Sequence, residues 1–274
     1  MALANTLQRV MTLIRVKALH LFSTALVLLT LSPVSAASDP RIVIILDDLG
    51  YRQTDTAALS LPQGVAFSVL PFTPLGRSLA DKASAQGRDI MLHMPMESLG
   101  ADNLGPAALT SAMLPQDISA TLKRSLDSLP QAIGVNNHMG SQMTGLRPAM
   151  STLMGELQRR HLFFVDSRTS SATVAAAAAQ RIGLASLSRD IFLDDDPSPA
   201  AVAAQYHAAL ELARKQGSVV IIGHPHPSTL ALLERELPHL QTQGIDWVDI
   251  GQMIATRGNR AMVAHGVDGI YRRD

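Results

Sequence analysis

Short, continuous apolar runs that each end in an acid or a histidine most constrain what this chain can fold into. Residues 42–46 run into Asp47 and Asp48, residues 90–92 into His93, and residues 218–223 into His224. Residues 133–135 lead through Asn136 and Asn137 to His138. Runs this short, with no polar alternation, mark strands buried on both faces, as in a parallel sheet clothed in helices. In such α/β folds the catalytic groups project from the C-terminal ends of the strands. Asp47, Asp48, His93, His138 and His224 are therefore expected at one polar site. That mix of side chains most often serves hydrolysis at a bound metal.

The first 36 residues read as a signal peptide. Arg9, Arg15 and Lys17 form a basic region, residues 21–31 are apolar apart from Ser23, Thr24 and Thr30, and Val34-Ser35-Ala36 offers a small-residue cleavage site. The apolar core is shorter than the roughly 20 residues of a membrane span. The expectation is an exported protein, periplasmic or secreted, with no transmembrane span once the signal is cleaved. An uncleaved anchor, or a start at Met11, are the alternatives. The chain has no cysteine, so thiolate nucleophiles, disulfides and cysteine zinc sites are excluded. Lys+Arg and Asp+Glu are equal at 23 each, which gives no footprint for nucleic acid or an anionic membrane surface. One Trp and three Tyr argue against a broad aromatic platform for sugars.

From residue 37 strand-like and helix-like segments alternate. Further strands are expected at 65–70, 162–165, 191–193 and from 246, and helices at 75–86, from 115, at 147–160, around the alanine run 175–179, at 200–215 and around 230–237. Residues 100–114 carry Gly and Pro without periodicity and read as a long loop near the site. Seven or eight β/α units in one chain predict a distorted seven- or eight-stranded (β/α) barrel over 37–257, followed by a polar C-terminal extension over 258–274.

Adjacent residues at a strand end point different ways, so Asp47 and Asp48 can divide two roles, one binding a metal and one taking a proton. A turn is the bland alternative. His93 is a natural metal ligand, and Glu97 comes near it if the chain turns at Pro95. His138 is flanked by Asn136, Asn137 and Gly140, a concentration of hydrogen-bonding groups. Asp166 and Arg168 could orient substrate or pair with each other. His224 is a candidate general acid, with His226 a weaker one. Residues 194–196, three consecutive aspartates before Pro197, read as a helix cap. His161, His207 and His239 read as surface residues.

Six ordered segments resemble the divergent polysaccharide deacetylase family, a branch of the NodB-homology carbohydrate esterases. They are residues 44–51, 65–71, 92–97, 134–141, 164–169 and 222–225. The resemblance implies a NodB-like barrel and an exported, envelope-related role. It also implies Asp47 as base, Asp48 as metal ligand and His224 as the group that protonates the leaving amine. The family's second ligand motif has two histidines four apart. Here His93 matches the first, and Glu97 stands in place of the second. His138, on the next strand, is our candidate for the missing imidazole.

The sequence reading is thus a metal-dependent hydrolase that removes an N-acyl group from an envelope polysaccharide or peptidoglycan-related glycan. Asp48, His93 and His138 hold a divalent metal, with zinc the expected ion. Asp47 and His224 are catalytic, and Asp166, Arg168 and Glu97 contact substrate. The competing reading is a non-catalytic envelope protein that binds glycan or a protein partner through the same pocket.

Overall fold

The computed structural model describes residues 39–100 and 103–264. The expected signal peptide, and the tail beyond residue 264, lie outside the described residues. Among the described residues there are nine parallel strands: β1 (Arg41–Leu49), β2 (Ala66–Val69), β3 (Ile90–Met96), β4 (Gly134–Met139), β5 (Phe163–Asp166), β6 (Ser186–Ser188), β7 (Ile191–Phe192), β8 (Ser218–Gly223) and β9 (Asp246–Trp247). Eight of them form the path β6-β5-β4-β3-β2-β1-β8-β7, and the short β9 pairs with the start of β1. The path ends on β6 and β7, which do not pair with each other, so the curled sheet is a (β/α) half-barrel left open at that seam.

Among the described residues, seven α-helices accompany the strands: α1 (Gly76–Ala85), α2 (Pro115–Ser128), α3 (Arg147–Arg159), α4 (Ala175–Arg181), α5 (Pro199–Gln216), α6 (Pro227–Glu236) and α7 (Ile250–Ala264). Among the described residues, no helix is long and apolar enough to cross a membrane. The alanine run becomes the buried face of α4, where Ala175, Ala178 and Ala179 pack. Proline opens α2, α5 and α6, where its missing N–H is no loss.

Strand alternation sorts the apolar runs into two cores. On β1, Ile42, Ile44 and Leu46 join a large outer core under the helices, while Val43 and Ile45 point inward. On β8, Val219 and Ile221 face out, and Val220 and Ile222 face in. The inner core is small: Ala66, Met91, Val165 and Leu187 complete it, with Ile250 and Met253 from α7. Gly134 also faces inward, and any side chain there would collide with the Phe163 ring.

α7 therefore plugs the bottom of the half-barrel. The amide of Ile250 bonds Asp89 just before β3, and Arg257 bonds Asp190, Ser188 O and Ser218 beside the open seam. The domain boundary expected after residue 257 falls inside this helix, which continues to Ala264. The expectation rested on the polar, charged composition from residue 258 onward, which the helical backbone continues through. Met253→Ala should empty part of the inner core and lower unfolding stability by about 2–5 kcal/mol. Urea denaturation measures this, and an unchanged midpoint would mean α7 is no plug.

Candidate functional site

The inner face turns polar where the strands end. Continuing the alternation upward gives Asp47 after Ile45, Ser68 after Ala66, His93 after Met91, Asn136 after Gly134 and His224 after Ile222. The register places them close together, because Leu46 pairs with Gly223 and His93 pairs with Asn136. Asp47, Ser68, His93 and Asn136 are all at most 2% exposed.

Asp48 reaches the same site only because β1 breaks its own alternation. In a regular strand the residue after inward Asp47 would face the helices. Here Asp48 has φ +60°, and the register with β2 shifts between Leu46 and Leu49. The extra residue is a bulge, which re-aims a side chain at the cost of a left-handed backbone. Leu49 then returns to the outer core.

Asn136 fixes the protons of the buried cluster. Its Nδ2 donates to both oxygens of Asp47, at 2.8 and 3.1 Å. An amide nitrogen can only donate, so Oδ1 must face the other way, where it accepts from Ser68 Oγ and His93 Nδ1 at 2.5 and 2.7 Å. His93 therefore carries its proton on Nδ1, and Nε2 points at Asp48 Oδ1, 2.9 Å away. His138 Nδ1 approaches that same oxygen at 2.7 Å. A lone pair aimed at a carboxylate oxygen is repulsive unless a proton or a cation lies between them. One carboxylate oxygen and two imidazole nitrogens, all within 4.8 Å of one another, form a donor set suited to a divalent cation with positions left open. The residues present thus fit a metal, and Asn136 supplies the outer hydrogen bond that orients a ligating histidine.

The electrostatics follow from the packing. Burial pushes the Asp47 carboxyl above the usual carboxylate range, and the nearby His93 and His224 offset only part of that. Burial acts the same way on Asp48, but hydrogen bonds from His138 and His93 hold it well below that range. Burial disfavours charge on His93, yet Asp47 and Asp48 raise it on balance. His224 is pushed up to about 9, because its bond to Asp194 and the charge of Asp48 outweigh burial.

His224 and Asp194 form a second built pair. Asp194 Oδ1 meets His224 Nδ1 at 2.8 Å, and Oδ2 accepts the His224 amide at 2.7 Å and Thr229 Oγ1 at 2.6 Å. This leaves His224 Nε2 directed toward Asp48 Oδ2, 3.9 Å away. Phe192 stacks on the ring at 5.8 Å, and the Arg189 guanidinium lies over the Phe192 ring, 3.6 Å from its centroid. The helix-cap expectation for residues 194–196 is not met: the N-cap of α5 is Ser198, and Asp196 only accepts the Ser198 amide from the turn before the helix. Asp194 is spent on His224. Asp194, His224 and His226 also form a second acid–histidine group, with His226 on the cavity wall.

Three expected substrate contacts are placed elsewhere. Glu97 would have approached His93 only if the chain turned at Pro95, but β3 runs on through Pro95 to Met96. Four strand residues span about 13 Å. Glu97 instead accepts the Ser111 amide and anchors the 103–114 loop. Pro95 is tolerated because β2 has already ended opposite Leu92 and no ladder partner needs its amide. Asp166 accepts the Arg168 amide at 2.8 Å and Thr173 Oγ1 at 3.0 Å, so it shapes the loop after β5. It bonds Arg168 through the backbone, and neither residue lines the cavity beside the site. Arg168 has φ +49° and is exposed, and its carbonyl accepts from Arg189.

Ser68, Asn136 and Asp194 are functional positions that the sequence reading did not assign. Counting in twos from the apolar inner residues finds the first two. Asp194 follows the same count, two past the inward Phe192, but the strand before it, β7, is only two residues long. Asn137 ties the β4 and β5 exits together, accepting the Ser167 amide at 2.9 Å and donating to Met139 O at 2.8 Å. A cavity of ≈ 580 Å³ opens above the cluster, with Asp48, His138 and His224 on its wall.

Known proteins bear on this arrangement. A family model described as divergent polysaccharide deacetylase matches residues 44–254. An uncharacterized protein of Haemophilus influenzae is 38% identical over 214 residues, covering 78% of this chain and 76% of that one. The uncharacterized Escherichia coli protein YibQ is 37% identical over 210 residues, and the match spans 76% of this chain but 65% of YibQ. The crystal structure of an uncharacterized Agrobacterium tumefaciens protein superposes with a TM-score of 0.76 at 22% identity, covering 81% of this chain and 92% of the other, and it shares the fold. The barrel, the strand-end cluster and the extent of the match together make this chain a member of the divergent polysaccharide deacetylase family.

Proposed function

We propose that the chain is a metal-dependent hydrolase that removes an N-acyl group, acetyl in the simplest case, from an envelope glycan after export. The observation that carries this reading is the convergence of Asp48, His93 and His138 on one point, with Asp47 and His224 beside it. Asp48, His93 and His138 would hold the cation, with zinc the ion that best suits two imidazoles and a carboxylate. When bound, it would polarise the acyl oxygen and make water a better nucleophile.

The remaining work falls to this chain's own residues. Asp47, ionised and held at both oxygens by Asn136, takes a proton from the attacking water. Its burial makes it a stronger base than an exposed aspartate. Water oxygen bonds to the acyl carbon, the carbon–nitrogen bond breaks, and acetate and a free amine result. His224, protonated and oriented by Asp194, gives its proton to the departing nitrogen. Base and acid leave neighbouring strands at one height, so one proton is taken and one given across a single bound acyl group.

Metal content is the first test. Purified protein should bind one equivalent of zinc, and Asp48→Asn or His138→Ala should reduce occupancy at least about tenfold with the circular dichroism unchanged. Full occupancy in both variants would exclude this ligand set.

Acetate release from N-acetylated glycans, with zinc supplied, is the second. Asp47→Asn should keep the metal and lose about 10²–10⁴-fold in turnover. The base works only when ionised and the acid only when protonated, so activity should rise with pH through the Asp47 pKa and fall through that of His224. The alkaline limb belongs at or below about 9, since a cation near Asp48 would favour the neutral ring. Asp194→Asn removes the carboxylate that raises His224, so the limb should move to lower pH. No release from any glycan by wild type would favour a binding protein instead.

Export is the third. Protein recovered from the cell envelope should begin near residue 37, read by N-terminal sequencing. Cytoplasmic protein retaining residues 1–36 would contradict it.

A further inference from the structure

One side of the cavity presents chemistry that the hydrolytic cluster does not use. Tyr51 and Arg52 follow β1 directly and line the same ≈ 580 Å³ space as Asp48 and His224. A space of that size takes a ligand larger than an acetyl group. The turn that carries the two residues is rigid: buried Asp55 accepts the amides of Gly50 and Arg52, each at 2.9 Å. The Tyr51 ring is 49% exposed, although its hydroxyl abuts Gly105 closely enough that any side chain at 105 would meet it. Its tip is thus braced and its face is bare.

Among the described residues, Arg52 supplies the only guanidinium on this wall. Three of the acids around it are already engaged: Asp48 by two imidazoles, Asp55 by two amides, and Asp194 by His224 and Thr229. Asp195 is exposed on the same wall, and its charge also reaches Arg189. Among the described residues, no acid forms a hydrogen bond or ion pair with the Arg52 guanidinium; the backbone of Arg52 is held at both ends, its amide donating to Asp55 Oδ2 and its carbonyl accepting the Asp55 amide. A bare aromatic face beside an unpaired guanidinium, in a cavity that also contains the hydrolytic cluster, matches a sugar ring with an acidic substituent. The ring stacks on Tyr51, and a planar carboxylate pairs with the guanidinium through two hydrogen bonds. A phosphate dianion fits less well, because the single guanidinium leaves one charge facing Asp48, Asp194 and Asp195.

We propose that Tyr51 and Arg52 form a subsite for a carboxylate-bearing sugar, so that the preferred glycan is an acidic N-acylated one. This rests on the hydrolase reading for its biological sense, but its test does not. Calorimetric titrations of zinc-loaded protein in the Asp47→Asn background, which spares the ligand, compare N-acetylmuramic acid with N-acetylglucosamine. The two share a ring and differ in a carboxylate-bearing ether. The acidic sugar should bind about tenfold more tightly, the size of one charge-assisted pair. Arg52→Ala should abolish the difference, Arg52→Lys should restore part of it, and Tyr51→Ala should weaken both sugars. Equal affinities without the Arg52 change, or a preference that survives Arg52→Ala, would overturn the subsite. Tighter binding of N-acetylglucosamine 6-phosphate would overturn the carboxylate assignment. Turnover is read separately on protein with Asp47 intact. Acid-dependent binding without acetate release removes the hydrolase reading and keeps the subsite, and release without the preference does the reverse.

Discussion

A parallel strand buried on both faces gives every second side chain to the inside of the sheet. In a curled sheet those side chains converge, and the interior soon has no room for further apolar packing. Here two inward rows, with Ile250 and Met253 beneath them, fill the bottom. The next row up is Asp47, Ser68, His93, Asn136 and His224, and everything chemical about the protein rests on that step from apolar to polar. The helices stabilise the outer face, but it is the alternation that decides which groups meet.

Placing a carboxylate, an imidazole, an amide and a hydroxyl together out of water is costly unless each finds a partner. Asn136 meets that demand by donating to Asp47 on one side and accepting from Ser68 and His93 on the other. The same bonds settle the His93 tautomer and aim its Nε2 at Asp48. The bulge at Asp48 then adds a second carboxylate to a row that regular geometry would have limited to one. Buried hydrogen bonding and a local backbone break thus assemble the ligand set jointly.

Much of this was legible in the sequence because the apolar runs and their terminal residues carry the information locally. Asp47, His93 and His224 sit where two-residue counting puts them, and His138, two past Asn136, joins the same group. Counting also points to Ser68 and Asn136, whose roles become visible only when the partner strands are in place. What local sequence could not carry was the path of the chain beyond a strand. Glu97 depended on a turn at Pro95 that does not occur, since β3 continues past it. Asp194 lies 30 residues from His224 and is brought to it by the pairing of β7 with β8. The polar composition from residue 258 onward reads as an extension, but the helix that plugs the barrel runs on to Ala264.

The central claim is that the inward row and the bulge at Asp48 build one cation site at the top of the half-barrel. Anomalous diffraction at the zinc edge, from crystals of zinc-loaded protein, locates such an ion without reference to activity. The account predicts a single strong peak bonded to Asp48, His93 and His138, with Asn136 still holding His93 Nδ1 and Asp47 beside the ion but not bound to it. A peak seated instead on Asp194, His224 and His226, with none at Asp48, would contradict it.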